Sequence, residues 1–417
     1  MEILIRTAIF KPANELVRIL LQQAADRIDA AYIPKPGEKL MRRMSLMVTG
    51  MFGSFPLMRG YYYHLGKKSG HCPVDAALGL EVAYTPALAR LICLEGSDES
   101  SFLQGSNHLK EVGGIHISER QIQRVVARVG GSALEWQKKE SKPLPCDAQI
   151  LYVSADATGV PMRREELEGR KGKAPDGKAK TRMAMLGCVF TQQKVDEEGH
   201  PMRDHESTTY LSSFQCPSDF GIGLRREAIR RGMGSVKETV LLIDGATGLE
   251  KLGRDYFPDA VQVVDFFHAM EHVEILIEAL WSNRDDAWKK SRRQYWKKKL
   301  SEDKVKLIIK QARKEARLQG TLERVETALG YFVNNVQRMQ YGTFRSKGYF
   351  IGSGVIEVGC RTVIGKRCKQ SGMFWGEPGA DKVLAFRCIH ASGRLDSFWK
   401  DRLNTQAAED DTLALAA

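Results

Sequence analysis

The sequence has no run of about 18 apolar residues, which excludes an apolar membrane-spanning helix. Its first residues, MEILIRTAIFKPANE, lack the long apolar core of a secretion signal. The eight cysteines (Cys72, Cys93, Cys146, Cys188, Cys216, Cys360, Cys368 and Cys388) form no CxxC and no pairing pattern. A disulfide scaffold is therefore not expected, and reduced thiols in the cytoplasm are. Acid is the scarcer charge. Against 63 Lys and Arg stand 51 Asp and Glu, a net charge of +12. A chain this basic commonly meets an anionic partner, nucleic acid first, although a basic surface alone would give the same count. What remains is ordinary: 43% apolar residues over 417 positions, enough for two or three domains.

Residues 12–31 read as an amphipathic helix with Leu16, Ile19, Leu20, Ala24 and Ile28 on one face. The Pro-Gly segment IPKPGEK ends it. His64, His71 and Cys72 come close together, but a zinc knuckle needs four ligands and Cys93 is too distant to complete one. Residues 86–137 read as all-helical. Within them, GGIHISERQIQRVVARVGG offers Ser118 as a cap and Ile122, Val125, Val126 and Val129 as an apolar stripe. Arg120, Gln121, Arg124 and Arg128 face the other way. A glycine turn before such a helix suits a helix-turn-helix reader of DNA, and equally an ordinary hairpin with a solvated basic face.

The pattern then changes. A charged, Pro-containing linker at 138–147 leads into strands at 149–155, 183–191 and 208–212, a helix at 217–232, a strand at 238–243, a short helix, and a strand at 260–264. The polar stretch RREELEGRKGKAPDGKAKTR between the first two strands reads as a mobile finger. Three strands, helix, strand, helix, strand is the order of the ribonuclease-H-like fold. Asp156 would end its first strand and Asp244 its fourth. Residues 269–345 read as a helical insertion, with the basic run KKSRRQYWKKK supplying Lys289, Lys290, Arg292, Arg293, Lys297, Lys298 and Lys299 around Tyr295 and Trp296. Such a run follows phosphates, or else is a solvated face.

The stretch GSGVIEVGCRTVIGKRCK, Gly352 to Lys369, sets one acid, Glu357, beside Arg361, Lys366, Arg367 and Lys369. That juxtaposition suits a carboxylate holding a metal ion next to a polyanion. Phosphodiester cleavage or transfer has to activate a nucleophilic oxygen and stabilise a leaving one. Two Mg²⁺ or Mn²⁺ ions held by three carboxylates do both. Taken singly, Asp156 is also a turn residue, Asp244-Gly245 a turn signal and Glu357 an ordinary first-turn acid. Together and in this order they point to one site. Asp265 either caps the helix after it or, with His268, supports that site.

SADATGVPM around Asp156, LLIDGA around Asp244 and GSGVIEVGCRTVIGKRCKQSGMFW around Glu357 resemble a DDE transposase of a bacterial insertion sequence. The nearest group is the Kra-type family, related to Lre-type and Mutator-like transposases. Asp265-Phe266-Phe267-His268 matches that family's C-or-D-two-residues-H signature. A cysteine pair the family often carries is reduced here to Cys72 alone. The resemblance covers about residues 40–400. It implies Asp156, Asp244 and Glu357 as the catalytic, metal-holding triad. It also implies cleavage at element ends and joining of a 3′-hydroxyl to target DNA. The partners would be terminal inverted repeats and target DNA, held by a homo-oligomer in the nucleoid. A nuclease of the same fold without strand transfer, and a DNA-binding repressor that has lost catalysis, are the alternatives.

The full expectation is thus an α/β ribonuclease-H-like catalytic core with a helical insertion, preceded by an all-helical N-terminal DNA-binding region. Its parts are 1–137 for that region, 138–147 linker, 148–268 first part of the core, 269–345 insertion, 346–403 C-terminal helical part of the core, and 404–417 flexible tail. Asp156 to Asp244 is 88 residues and Asp244 to Glu357 is 113, room for an inserted domain in the second gap.

Overall fold

The computed structural model describes residues 1–139, 143–172 and 179–409. The chain divides into two compact units. One is Met1–Trp136 with the chain from Pro378 onward, the other Gln137–Glu377.

The first unit opens with helix α1 (Glu2–Ala31), followed by β1 (Glu38–Gly50), β2 (Gly53–His64), β3 (Ser69–His71), α2 (Pro73–Ala77), α3 (Pro86–Asp98), α4 (Phe102–Gly113) and α5 (Glu119–Lys138). The expected all-helical region is therefore broken by a three-stranded antiparallel sheet, β1-β2-β3. The reason lies in residues 38–64, where Leu46, Val48, Phe55 and Leu57 face inward in alternation and a two-residue turn at Met51-Phe52 closes the hairpin. Helix α1 lies on this sheet, but not by the face expected. Val17, Leu21, Ala25 and Ile28 pack on Val48, Phe55 and Leu57, whereas Leu16, Ile19 and Leu20 stay exposed.

The second unit holds β4 (Ile150–Pro161), β5 (Thr181–Val195), β6 (Pro201–Arg203), β7 (Thr209–Ser213), α6 (Pro217–Arg230), β8 (Glu238–Ile243), α7 (Thr247–Tyr256) and β9 (Val261–Val264). They form a mixed sheet in the order β6-β5-β4-β8-β9, with β7 also on β5. β4, β8 and β9 run parallel, and β5 is antiparallel to β4. This mixed α/β arrangement is consistent with a ribonuclease-H-like core. Strands β4 and β8 are buried on both faces, as parallel central strands require. Leu151, Val153, Ala155, Leu241 and Ile243 pack against Phe220, Leu224 and Ala228 of α6 and Leu249 and Leu252 of α7. Gly187 of β5 admits α6 closely, since a Cβ there would lie 2.6 Å from Leu224.

Helices α8 (Phe266–Trp281), α9 (Asp286–Ser301), α10 (Val305–Gln319), α11 (Leu322–Asn335) and α12 (Tyr341–Ser346) fill the gap after β9. Then α13 (Gly354–Gly359) passes into a π-helical turn, Cys360–Gly365, and α14 (Lys366–Cys368). The expected finger at 163–182 is tied down in its described part. Arg164–Leu167 forms a 3-10 turn, Glu166 accepts the Glu377 N–H, and Arg182 pairs with Glu377. Residues 173–178 lie outside the described residues.

The last two helices, α15 (Glu377–Ala391) and α16 (Leu395–Glu409), belong with the N-terminal helices rather than with a C-terminal part of the core. Gly130 lets α5 meet the α15 backbone at Lys382, Trp136 packs edge-on against Phe398, and Arg387 binds Asp98 and the Ser97 carbonyl. α16 runs on to Glu409 where a flexible tail was expected from 404, and 410–417 lie outside the described residues. Of the linker, residues 140–142 are likewise outside them, while Leu144 donates its N–H to Arg230. No helix among the described residues is long and apolar enough to cross a membrane.

Candidate metal and nucleic-acid site

Asp156 does not end its strand. β4 continues to Pro161, and what ends there is its pairing with β8. That parallel register joins Ile150 to Glu238 and Ser154 to Leu242, always 88 residues apart. Asp156 and Asp244 carry the same offset two residues past the last pair, Asp156 still within β4 and Asp244 just beyond the end of β8. They also share a face. Leu151, Val153, Leu241 and Ile243 point at α6 and α7. By the two-residue period, Tyr152, Ser154, Asp156, Leu242 and Asp244 belong to the opposite face. On that face Tyr152 stacks on Phe190 and meets Phe350 edge-on, and its hydroxyl accepts the Phe350 N–H. The segment that leads into Glu357 is thereby anchored against β4.

Both aspartates are half-buried. Asp244 folds its turn, its Oδ1 accepting the Ala246 N–H at 2.7 Å, with Gly245 at φ +84°. Asp156 faces Cys360. Burial first, and then the charge and hydrogen bond of Asp156, push that thiol's pKa up. Cys360 opens the π turn, the one irregularity in this stretch, a few residues past Glu357. Gly359 just before it lies against Tyr210, where a Cβ would clash at 2.7 Å.

Glu357 is exposed, and its Oε1 accepts the Ser353 hydroxyl at 2.7 Å. Ser353 is held in turn by its N–H, which Asp265 Oδ2 accepts. Asp265 caps α8 as well, accepting the His268 N–H at 2.7 Å and its ring Nδ1 at 3.3 Å. Fully buried, Asp265 is opposed in its ionisation by desolvation, yet the hydrogen bonds from His268 and Ser353 hold its carboxyl below the usual range. His268 is raised to about 9, chiefly by the hydrogen bond to Asp265 and against its partial burial. The capping reading of Asp265 is what these bonds show. The ligand atoms of Asp265, His268 and Glu357 lie within 4.8 Å of one another, a carboxylate-rich cluster able to hold a metal ion. Asp156 and Asp244 are not in that tight set, although the charge of Asp244 reaches His268 and His272.

The His268 pair sets a pH dependence. A histidine whose pKa rises on folding stabilises the fold fully below its unfolded value near 6.5 and loses that contribution as pH climbs through about 9. With EDTA present, the thermal midpoint should therefore fall between pH 6.5 and 9.5, and His268→Gln should flatten the fall. An unchanged pH profile in the variant would show that the pair contributes nothing.

Sequence reasoning missed the cleft beside Asp244. About 400 Å³ in volume, it is lined by Asp244, Thr247, Glu250, His268, His272, Tyr331 and Asn335, among others. The Tyr331 hydroxyl donates to the Asp244 carbonyl, and His272 stacks on the Tyr331 ring 3.5 Å away. Only the polar residues at the C-terminal end of α11 (Tyr331, Asn334, Asn335) hinted at it.

The candidate DNA-contacting residues divide. Arg361, Lys366 and Lys369 are exposed, and Lys369 donates to Thr158. Arg367 is instead fully buried, stacked 4.9 Å over Trp375, because its place on α14 points into the core. In α9, Lys289 pairs with Glu278, Arg293 with Glu274 and Lys299 with Glu302. Arg292 lies among Trp281, Trp288 and Tyr295, and Trp296 is buried, leaving Lys290, Lys297 and Lys298 exposed. Arg120 and Arg124 of α5 are exposed. Gln121 closes a capping box, accepting from the N–H and hydroxyl of Ser118. His64, His71 and Cys72 make no metal-capable cluster. Among the described residues, the only other such group is Glu95, Glu99 and His108. None of the eight cysteines is bonded to another.

No family model matches the chain. No curated protein matches it either. Among solved structures the chain is similar to the Drosophila P element transposase strand transfer complex, at 12% identity over 76% of this chain and 79% of that one. The TM-score of 0.26 is too low for that likeness to carry any weight.

Proposed function

We propose that the chain is a DDE-type DNA transposase that cuts insertion-sequence ends and joins the freed 3′-hydroxyl to target DNA. The observation that carries this reading is the placement of Asp156 and Asp244 two residues past the last β4–β8 pair, with the Glu357 segment anchored against β4. Asp156, Asp244 and Glu357 would hold two Mg²⁺ or Mn²⁺ ions. Hard carboxylate oxygens on partly open side chains suit such ions. When bound, the ions activate the attacking oxygen and stabilise the leaving one. Asp265 is the poorer ligand despite its proximity to Glu357. It is fully buried, and both its oxygens already accept N–H groups, so coordination would break the α8 cap. Its role in this reading is to fix Ser353, which orients Glu357. Exposed Arg361, Lys366 and Lys369 sit where a phosphate backbone approaching Glu357 would meet them.

The test incubates the purified protein with Mg²⁺ and labelled DNA carrying the matching element ends. Joined products support the reading, cleavage without joining favours a nuclease, and binding without cleavage favours a repressor. For the Kra-type assignment, inverted repeats flanking the gene are the matching observation. At the other end of the chain, replacing Arg120 and Arg124 by Ala should weaken binding to the terminal inverted repeat about tenfold or more per lost base contact, and binding to random DNA less. Equal losses on the two DNAs would remove the reader role of α5.

A further inference from the structure

We propose that the groove between α10 and α11 holds the backbone of a DNA strand. The proposal rests on the DNA-processing reading above and extends it to a surface outside the acidic cluster.

The groove is an open cavity of about 790 Å³. Lys306, Lys310, Arg313, Lys314 and Arg317 line it from α10. Their spacing repeats along one face, so the stripe rises about 16 Å along the helix, the axial length of roughly five phosphates on one strand. Apolar side chains line it too, among them Leu318 at 74% and Val333 at 42% exposure. Exposed aliphatic groups between cations suit deoxyribose between phosphates. The acid facing this stripe is Glu326 of α11, which pairs with Arg313 and senses Arg317. Lys306, Lys310 and Lys314 are exposed and have no acidic partner among the described residues.

The basic run of α9 carries both paired and unpaired cations. There Lys289, Arg293 and Lys299 are spent on Glu278, Glu274 and Glu302 and Arg292 is folded onto aromatic rings, while Lys290, Lys297 and Lys298 stay exposed. A cation already paired releases no counterion when phosphate arrives, whereas an unpaired lysine does.

The test measures binding of a labelled random-sequence DNA duplex between 50 and 200 mM salt, with EDTA present so that cutting plays no part. Three full-length proteins are compared: the parent, Lys306→Gln/Lys310→Gln/Lys314→Gln, and Lys290→Gln/Lys297→Gln/Lys298→Gln. The α10 triple should flatten the slope of log affinity against log salt by about 2.7, at roughly 0.9 for each phosphate contact. The α9 triple measures separately what that helix's three exposed lysines add. An α10 slope equal to the parent's overturns the proposal. So does a larger loss of binding to labelled polyglutamate than to DNA, which would make the groove a seat for an acidic protein. The readout needs no catalysis, so a failed cleavage assay with a flattened α10 slope sinks the transposase reading alone.

Discussion

Asp244→Asn should abolish Mg²⁺-dependent cutting of element-end DNA while leaving DNA affinity within about twofold. The choice of Asn matters. Asp244 does two jobs, folding the β8–α7 turn through Oδ1 to the Ala246 N–H and presenting negative charge at the end of β8. Asn keeps the acceptor oxygen and loses the charge. The turn, the Tyr331 bond to the Asp244 carbonyl and the strand beneath should survive. A neutral amide oxygen is a poor ligand for a hard divalent ion. Loss of even an outer-shell partner typically costs 10- to 100-fold in metal affinity or activity, so loss of a direct ligand should exceed about a hundredfold. Cutting at the parent's rate by the variant would remove Asp244 from the site. A parallel loss of DNA binding would make it a folding residue instead.

The sheet could be read from the chain because its strands are buried on both faces and so appear as apolar runs, QILYVSA and ETVLLI among them. Acids at their ends stood out against that background. What could not be read was where β4 stops. Beyond Ser154 it loses β8 but keeps β5 as far as Pro161, and a strand paired on one side carries no apolar run. The N-terminal hairpin was hidden for a similar reason. β1 is mostly exposed, its Lys, Arg and Met pattern resembles neither template, and only β2 alternates clearly. The placement of α15 and α16 rests on contacts hundreds of residues apart in sequence, such as Arg402 with Glu81 and Trp136 with Asp401. No local pattern carries that information. Within the basic segments, composition gave the number of cations and nothing about their partners. Arg367 counted as a surface base until Trp375 was seen beneath it.

The strongest effect on the fold around Glu357 should come from Asp265→Ala. Three donors converge on this buried carboxylate: the His268 N–H, the His268 ring and the Ser353 N–H. Alanine removes the α8 cap, worth about 1–2 kcal/mol, and orphans a buried Ser353 amide at about 1–3 kcal/mol more. The combined loss should be about 2–5 kcal/mol, its upper end reaching the range in which a single substitution becomes diagnostic. Asp265→Asn separates the two halves of that cost. Its oxygen can still cap His268, but its NH₂ would then face the Ser353 N–H, donor against donor, so the Ser353 tie breaks while α8 stands. In hydrogen exchange, the Ser353 amide should be protected in the parent and exchange freely in both variants, whereas the first turn of α8 should loosen only in the alanine variant. Cutting should fall in both, because Ser353 is what holds the Glu357 carboxylate in place. A Ser353 amide still protected in Asp265→Asn would mean that the α8–Glu357 connection runs through other contacts, and Asp265 would be left as a helix cap and nothing more.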